Sequence, residues 1–274
     1  MENMMKHLLF TMTYLLFSLS ILAAEDNNDP SLIFKVTFDG YTVTADKASG
    51  YKKSPNFPES LALRMYKGIV GKGNALTLNS KERVRYSNFK NHNPKKGTIS
   101  FWVASLNWKP SEKFFQVFYD ASLPNYRFLI YKYAQDSILR FYISQNNREE
   151  YISIPLKNED WTPGCWHKID AVWDETRMAL YLDGVLAKPL IYTRNPLIFT
   201  KPKVFPETKE GGYMSLGGSS LFRHNPEHST AFDELEIYDR ILTPAEIRSN
   251  YEKVIPPSAE KKRNELQFIC MEVS

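Results

Sequence analysis

The chain of 274 residues is 43% hydrophobic and 24% charged, an ordinary globular balance that supports a full buried core. Its net charge of +4 is small and runs into no long basic stripe, which argues against a nucleic-acid partner. Aromatic residues reach 14%, the composition of a large β-sandwich, while two cysteines are too few for a disulfide framework.

The N-terminus reads as a targeting segment. Lys6 precedes the apolar stretch Leu8 to Leu22, which closes on the small residues Ala23 and Ala24 before "EDNNDP" turns polar. This layout predicts a cleaved secretory signal over residues 1–24, and with it a secreted, periplasmic or cell-surface protein. The stretch is short for a membrane span, and no cysteine follows it to carry a lipid, so no membrane attachment is expected after cleavage.

From residue 31 the chain alternates in short runs. "SLIFKVTFDG" puts Leu32, Phe34, Val36 and Phe38 on one face and ends in an Asp39-Gly40 turn. "GTISFWVASL" puts Ile99, Phe101 and Val103 on one face, with Thr98, Ser100 and Trp102 on the other. "FFQVFYD", "YRFLIYKY" and "ILRFYISQ" read as consecutive antiparallel strands. "HKIDAVWDETRMALYLDGVLAKPL" reads as three more, with Asp183-Gly184 as a hairpin turn that tolerates positive φ. "GGYMSLGGSS" and "TAFDELEIYD" add two further strands. A strand and turn every 8–12 residues or about that is the pattern of an all-β sandwich.

A single helix is predicted, in "LTPAEIRSNYEKV". Thr243 is its N-cap, Pro244 occupies the first helical position, and Glu246 completes a capping box. Ile247 and Tyr251 share its apolar face. Beyond residue 253 two prolines and a charge run make a linker, followed by a short apolar tail that carries Cys270. Pairing of Cys165 with Cys270 stays open at this level.

Three stretches, "GTISFWVASLNW" (97–108), "WTPGCWHKIDAVWDETRMALYLDGVL" (161–186) and "AFDELEIYDRILTPAEIRSNY" (231–251), resemble in this order the laminin-G-like jelly rolls of the concanavalin A-like lectin/glucanase superfamily. "GIVGKGNALTLN" (68–79) is similar to the segment that precedes the first long strand of such domains. Cys165 departs from the polar residue usual at its position. The resemblance covers residues 31–253 and implies two antiparallel sheets in a jelly-roll sandwich, closed by one short C-terminal helix. It also implies a recognition surface for a polysaccharide or a cell-surface protein, and often a Ca²⁺ ion.

Candidate site residues follow from the strand patterns. Asp233 falls by alternation on the apolar side of its strand with Leu235 and Ile237, opposite Phe232, Glu234, Glu236 and Tyr238. A carboxylate there needs a partner. The resemblance implies a structural Ca²⁺ at such a position, with Asp39 as the second ligand and backbone carbonyls and water completing the shell. Trp102 and Trp108 are candidate sugar platforms, with core packing the alternative. Gln116, Lys132, Arg140 and Tyr142 form a polar row across the middle strands, able to donate to hydroxyls or carboxylates or else simply to face solvent. His167 reads as a structural hydrogen-bonding residue, and "HNPEH" (224–228) is not aligned by a helix for metal binding.

Catalytic signals are weak. Glu234 and Glu236 share a face, but no third acid extends them into the spaced-by-two array of the related glucanases. No serine-hydrolase elbow, zinc signature or phosphate loop is present. The expected function is non-catalytic recognition. The alternatives are a structural or adhesive module and a diverged glycoside hydrolase.

Overall fold

The computed structural model describes residues 29–56, 65–69, 73–146, 148–188, 197–198, 212–218 and 227–255. The expected leader (1–24) and all of the tail beyond residue 255 lie outside them. The chain divides into two compact units, Met1–Leu32 and Ile33–Ser274, and the sandwich belongs to the second.

In chain order the strands are β1 (Leu32–Val36), β2 (Lys47–Ala48), β3 (Met65–Lys67), β4 (Asn74–Asn79), β5 (Arg83–Ser87), β6 (Gly97–Ser105), β7 (Gln116–Leu123) and β8 (Tyr126–Tyr133). They continue with β9 (Ile138–Gln145), β10 (Arg148–Pro155), β11 (Trp166–Trp173), β12 (Arg177–Leu182), β13 (Val185–Leu186), β14 (Leu197–Ile198), β15 (Tyr213–Gly217) and β16 (Ser229–Tyr238). A helix, α1 (Pro244–Val254), closes the described chain.

The larger sheet runs β13-β12-β11-β6-β16-β1-β2, with β14 on β12, β4 on β16 and β3 on β4. The smaller sheet runs β10-β9-β8-β7-β15-β5. The three middle strands read from the sequence are consecutive antiparallel neighbours, as expected. The hairpin between β12 and β13 turns at Asp183 (φ 54) and Gly184 (φ 74), as the Asp-Gly pair requires.

The core lies between the sheets. Ile99, Phe101 and Val103 of β6, Ile169, Ala171 and Trp173 of β11, and Phe232, Leu235 and Ile237 of β16 form one wall. Phe118, Tyr119 and Ala121 of β7, Phe128 and Ile130 of β8, and Leu139, Phe141 and Ile143 of β9 form the other. Aromatic rings bridge them, Phe128 against Trp173 at 4.6 Å and Trp108 stacked on Trp161 at 5.9 Å.

The helix forms as its cap predicts. Thr243 Oγ1 accepts from the Glu246 N–H, Thr243 N–H donates to Glu246 Oε2, and Pro244 opens the first turn. Arg240 is hydrogen-bonded to the Glu246 carboxylate; this contact, with the Thr243 donors, holds the carboxyl at about 2. The buried face, Ile247 and Tyr251, turns inward. Tyr251 joins Trp102, Ala104, Trp166 and Ala231 in a second apolar cluster on the outer face of the larger sheet.

Candidate functional site

The structure separates the candidate residues by the face each strand presents. Trp102 does point away from the core, as alternation requires, but it is only 2% exposed because the helix covers it. Tyr251 stacks on its ring at 5.6 Å and 23°. Trp108 is buried in the main core, in a mutual cluster with Trp161 and Phe118, and its Nε1–H donates to Thr230 Oγ1. Neither tryptophan is a sugar platform; both serve packing.

The polar row also divides. Gln116 and Lys132 are cross-strand partners, and Lys132 pairs in turn with the core residue Leu139, so both point into the sandwich. Lys132 Nζ donates to the carbonyls of Glu112 and Phe114 and lies 4.2 Å over the Phe114 ring. Burial pulls its pKa down to about 8, against the raising effect of the Glu112 carboxylate. It fastens the 109–116 loop to the end of the core and is buried away from ligands. The row divides because Lys132 pairs with Leu139 and Arg140 with Tyr131, which sets Lys132 and Arg140 on opposite faces of adjacent strands.

Arg140 and Tyr142 remain on the outer face of the smaller sheet. The ladder sets Tyr131, Arg140 and Ser153 side by side across β8, β9 and β10. Arg140 Nε donates to Ser153 Oγ at 2.9 Å, and Nη1 donates to Tyr131 Oη at 3.4 Å. Its guanidinium carbon sits 4.4 Å from the ring centres of both Tyr133 and Tyr151. The cation is thus held between two rings, with donors still to offer. Tyr142 Oη donates to Glu149 Oε1 at 2.8 Å, and Tyr151 is 36% exposed. Beneath lies an apolar layer of Val117, Leu129 and Tyr131, joined by Phe115, Tyr133 and Tyr142. The sequence reading missed Tyr131, Tyr133, Tyr151 and Ser153. The signal was present as the two tyrosines two apart in "YRFLIYKY", which share a face with Arg140 of the next strand.

Asp233 is on the other face from the one alternation assigns. A bulge breaks the β16–β6 register between Asp233 and Glu236, with Glu234 at φ 47. Phe232, Leu235 and Ile237 therefore point inward, while Asp233 sits opposite Trp102 on the outer face. It is still only 2% exposed. Its Oδ2 accepts from the Ile69 N–H and its Oδ1 from the Glu234 N–H, each at 2.9 Å. Burial pushes the carboxyl up to about 8, opposed by the Ile69 amide and reinforced by the negative charges of Glu234 and Asp39. Glu236 and Glu234 are engaged by Lys35 Nζ, at 2.9 and 3.3 Å. Burial works to lower the Lys35 pKa, yet these two carboxylates hold it above the usual lysine range.

Asp39 reaches the same backbone segment from the other side. Its Oδ1 accepts from the Asn74 N–H at 2.9 Å. Gly73 (φ 60) makes this approach possible, since a Cβ there would stand 1.7 Å from Asp39 Oδ1. Asp233 and Asp39 thus each accept from a backbone amide, those of Ile69 and Asn74. Among the described residues no cluster of three His, Cys, Asp or Glu forms.

A pH dependence follows from Asp233. Its folded pKa lies near 8 against an ordinary 3.8, so in this window the folded state keeps a proton that the unfolded state releases. The contribution of this carboxyl to stability should be fully present below about 4, fall as pH rises, and be gone above about 8, a loss on the order of a few kcal/mol at most. Thermal melts in chelator should show that slope in the native protein and a flatter one in Asp233→Asn.

His167 is structural, as expected. Nδ1 meets Asp183 Oδ2 at 2.9 Å, Nε2 meets the Asp160 carbonyl at 2.8 Å, and the ring stacks on Trp161 at 4.3 Å. From "HNPEH", His224 lies outside the described residues and His228 Nε2 pairs with Glu112 Oε2 at 3.0 Å. Cys165 stands in a disulfide, and Cys270 lies outside the described residues.

A search of curated proteins finds no match. Among solved structures, the binding domain of botulinum neurotoxin DC in complex with rat synaptotagmin II is similar at 15% identity and a TM-score of 0.57, over 82% of this chain and 52% of that one. The botulinum neurotoxin type G receptor binding domain matches at 12% identity and a TM-score of 0.56, over 81% of this chain and 51% of that one. The neurotoxin DC binding domain in complex with SialylT matches at 15% identity and a TM-score of 0.56, over 82% and 52%. This chain therefore spans about half the length of these chains. A laminin-G family model matches residues 78–248, more than half of the sequence, and the two antiparallel sheets agree with it: the chain belongs to the concanavalin A-like lectin/glucanases superfamily.

Proposed function

We propose that this chain is a non-catalytic recognition domain that binds carbohydrate on the outer face of its smaller sheet. The observation that carries the reading is Arg140, fixed between Tyr133 and Tyr151 and held by Ser153 and Tyr131. Tyrosine rings offer flat apolar surfaces to sugar rings. A guanidinium with free N–H groups supplies directed donors to sugar hydroxyls or carboxylates. Because its side chain is already ordered, little conformational entropy remains to be lost on binding. The outer face of the larger sheet is occupied instead by α1. Recognition is favoured over hydrolysis because Glu234 and Glu236 of β16 are both engaged by the single ammonium of Lys35.

A structural Ca²⁺ between Asp39 and Asp233 belongs to the same proposal, supported by the repulsion between these two carboxyls, which accept from the amides of Asn74 and Ile69. Added Ca²⁺ should raise the melting temperature of the native protein and leave Asp233→Asn unmoved. Action outside the cytoplasm is likewise proposed, supported by the disulfide at Cys165 and the leader pattern of residues 1–24. Among the described residues no helix is long and apolar enough to cross a membrane.

The test is a glycan array with the full chain, followed by titration of each hit against Arg140→Ala. Retained binding in the variant would reject the Arg140 face. The solved relatives in complex with synaptotagmin II and with SialylT guide which proteins and sialylated glycans to include.

A further inference from the structure

Arg127, Arg240 and Arg248 each meet a carboxylate, those of Asp120, Glu246 and Glu252. Arg140 meets none among the described residues. Its partners are neutral: the hydroxyls of Ser153 and Tyr131 and the rings of Tyr133 and Tyr151. The hydrogen bonds use Nε and Nη1, which leaves both N–H groups of Nη2 without a protein acceptor. The strands that carry these residues, β8, β9 and β10, are described at every position.

The surroundings supply no anion for it. Glu149, on β10 of the same face, accepts from Tyr142 Oη at 2.8 Å. Asp120, on β7, is matched by Arg127 Nη2 at 2.8 Å. The layer of Val117, Leu129 and Tyr131 beneath is apolar and brings no charge. A guanidinium set against two rings over such a layer has given up part of its water. An anion that reaches Nη2 therefore gains more than it would from a fully solvated cation. Tyr151 has Arg140 against its ring and is 36% exposed, so a flat ligand can lie beside both.

We propose, resting on the carbohydrate reading above, that the sugar bound at this face is acidic: its carboxylate accepts from Nη2 of Arg140 while its ring lies against Tyr151. A neutral hydroxyl would satisfy a donor and leave the positive charge uncompensated. A carboxylate supplies the charge, and its two oxygens match the planar fork of a guanidinium. The ligand class is thus the uronic acids and other carboxylated sugars. An acidic peptide would match the charge, but it brings no pyranose face to the tyrosine ring.

The experiment titrates the full chain with oligogalacturonate, hyaluronan oligomers and sialyllactose, each beside the same sugar with its carboxyls reduced to primary alcohols. At least one acid form should bind at least about tenfold more tightly than its reduced twin. Raised salt should narrow that gap. Arg140→Gln keeps an amide donor without the charge and should bind the twins alike, with a melting curve to check its fold. An undiminished preference in that variant would overturn the proposal. Equal binding of the twins by the native protein, lost in Arg140→Ala, would overturn it and leave carbohydrate recognition standing. So would binding of none of these sugars by a protein that holds a neutral glycan from the array. Binding of no glycan at all would overturn both readings. Displacement of the acid sugar by poly-glutamate at equal carboxylate concentration would overturn the acidic-sugar assignment, since charge would then suffice without the sugar.

Discussion

Asp170→Ala is expected to destabilise the sandwich by about 3–5 kcal/mol, among the largest effects of any polar substitution in this chain. Asp170 is 0% exposed, and its Oδ1 receives Lys168 Nζ at 2.6 Å. Lys168 also donates to Ser100 Oγ, on the neighbouring strand β6. All three side chains project from the outer face of the larger sheet, in the layer that contains Trp102, Trp166 and Tyr251. Deleting the carboxylate leaves an ammonium in that layer with one hydroxyl for company. Water cannot replace the lost partner without opening the packing that buries both side chains. The pair itself is not a large net source of stability, because both charges left water to form it. Lys168→Met combined with Asp170→Leu should therefore recover most of the loss. Urea titrations of the native, single and double variants measure both effects. A single-variant cost under about 1 kcal/mol would mean that water already reaches the pair, as for a surface ion pair.

The parts of the fold that were legible in the sequence are those written in local signals. Thr243, Pro244 and Glu246 specify the helix start by themselves, and Asp183-Gly184 specifies its hairpin. Alternation gave the faces of β6, so that Trp102 was correctly set opposite Phe101. What alternation cannot show is which outward face the chain later covers. Trp102 is buried by Tyr251, far along the sequence, and nothing near Trp102 announces it. Bulges defeat alternation more directly. One extra residue at Glu234 sends Asp233 to the opposite face. Asp233 was nevertheless correctly singled out as a carboxylate in need of partners. It found them in the amides of Ile69 and Glu234.

Arg140→Ala should abolish or weaken carbohydrate binding by at least about tenfold, while changing stability by only ~1 kcal/mol. The asymmetry follows from its position. The side chain is half-exposed, so its contacts with Tyr133 and Tyr151 contribute modestly to folding. Removing it deletes the cation held against Tyr133 and Tyr151 and frees both rings to collapse over the gap. Arg140→Lys should rescue little, because an ammonium cannot lie flat between two rings or keep the Ser153 bond in the same geometry. Trp102→Ala makes the opposite case on the opposite face. It should cost about 3–5 kcal/mol of stability by emptying the space beneath Tyr251. Where enough folded protein remains, its carbohydrate affinity should be native. Calorimetric titration with an array-selected glycan, beside denaturant curves for the three variants, separates the two faces. If Trp102→Ala lost affinity and Arg140→Ala kept it, the binding face would have to be sought on the larger sheet, beside the helix.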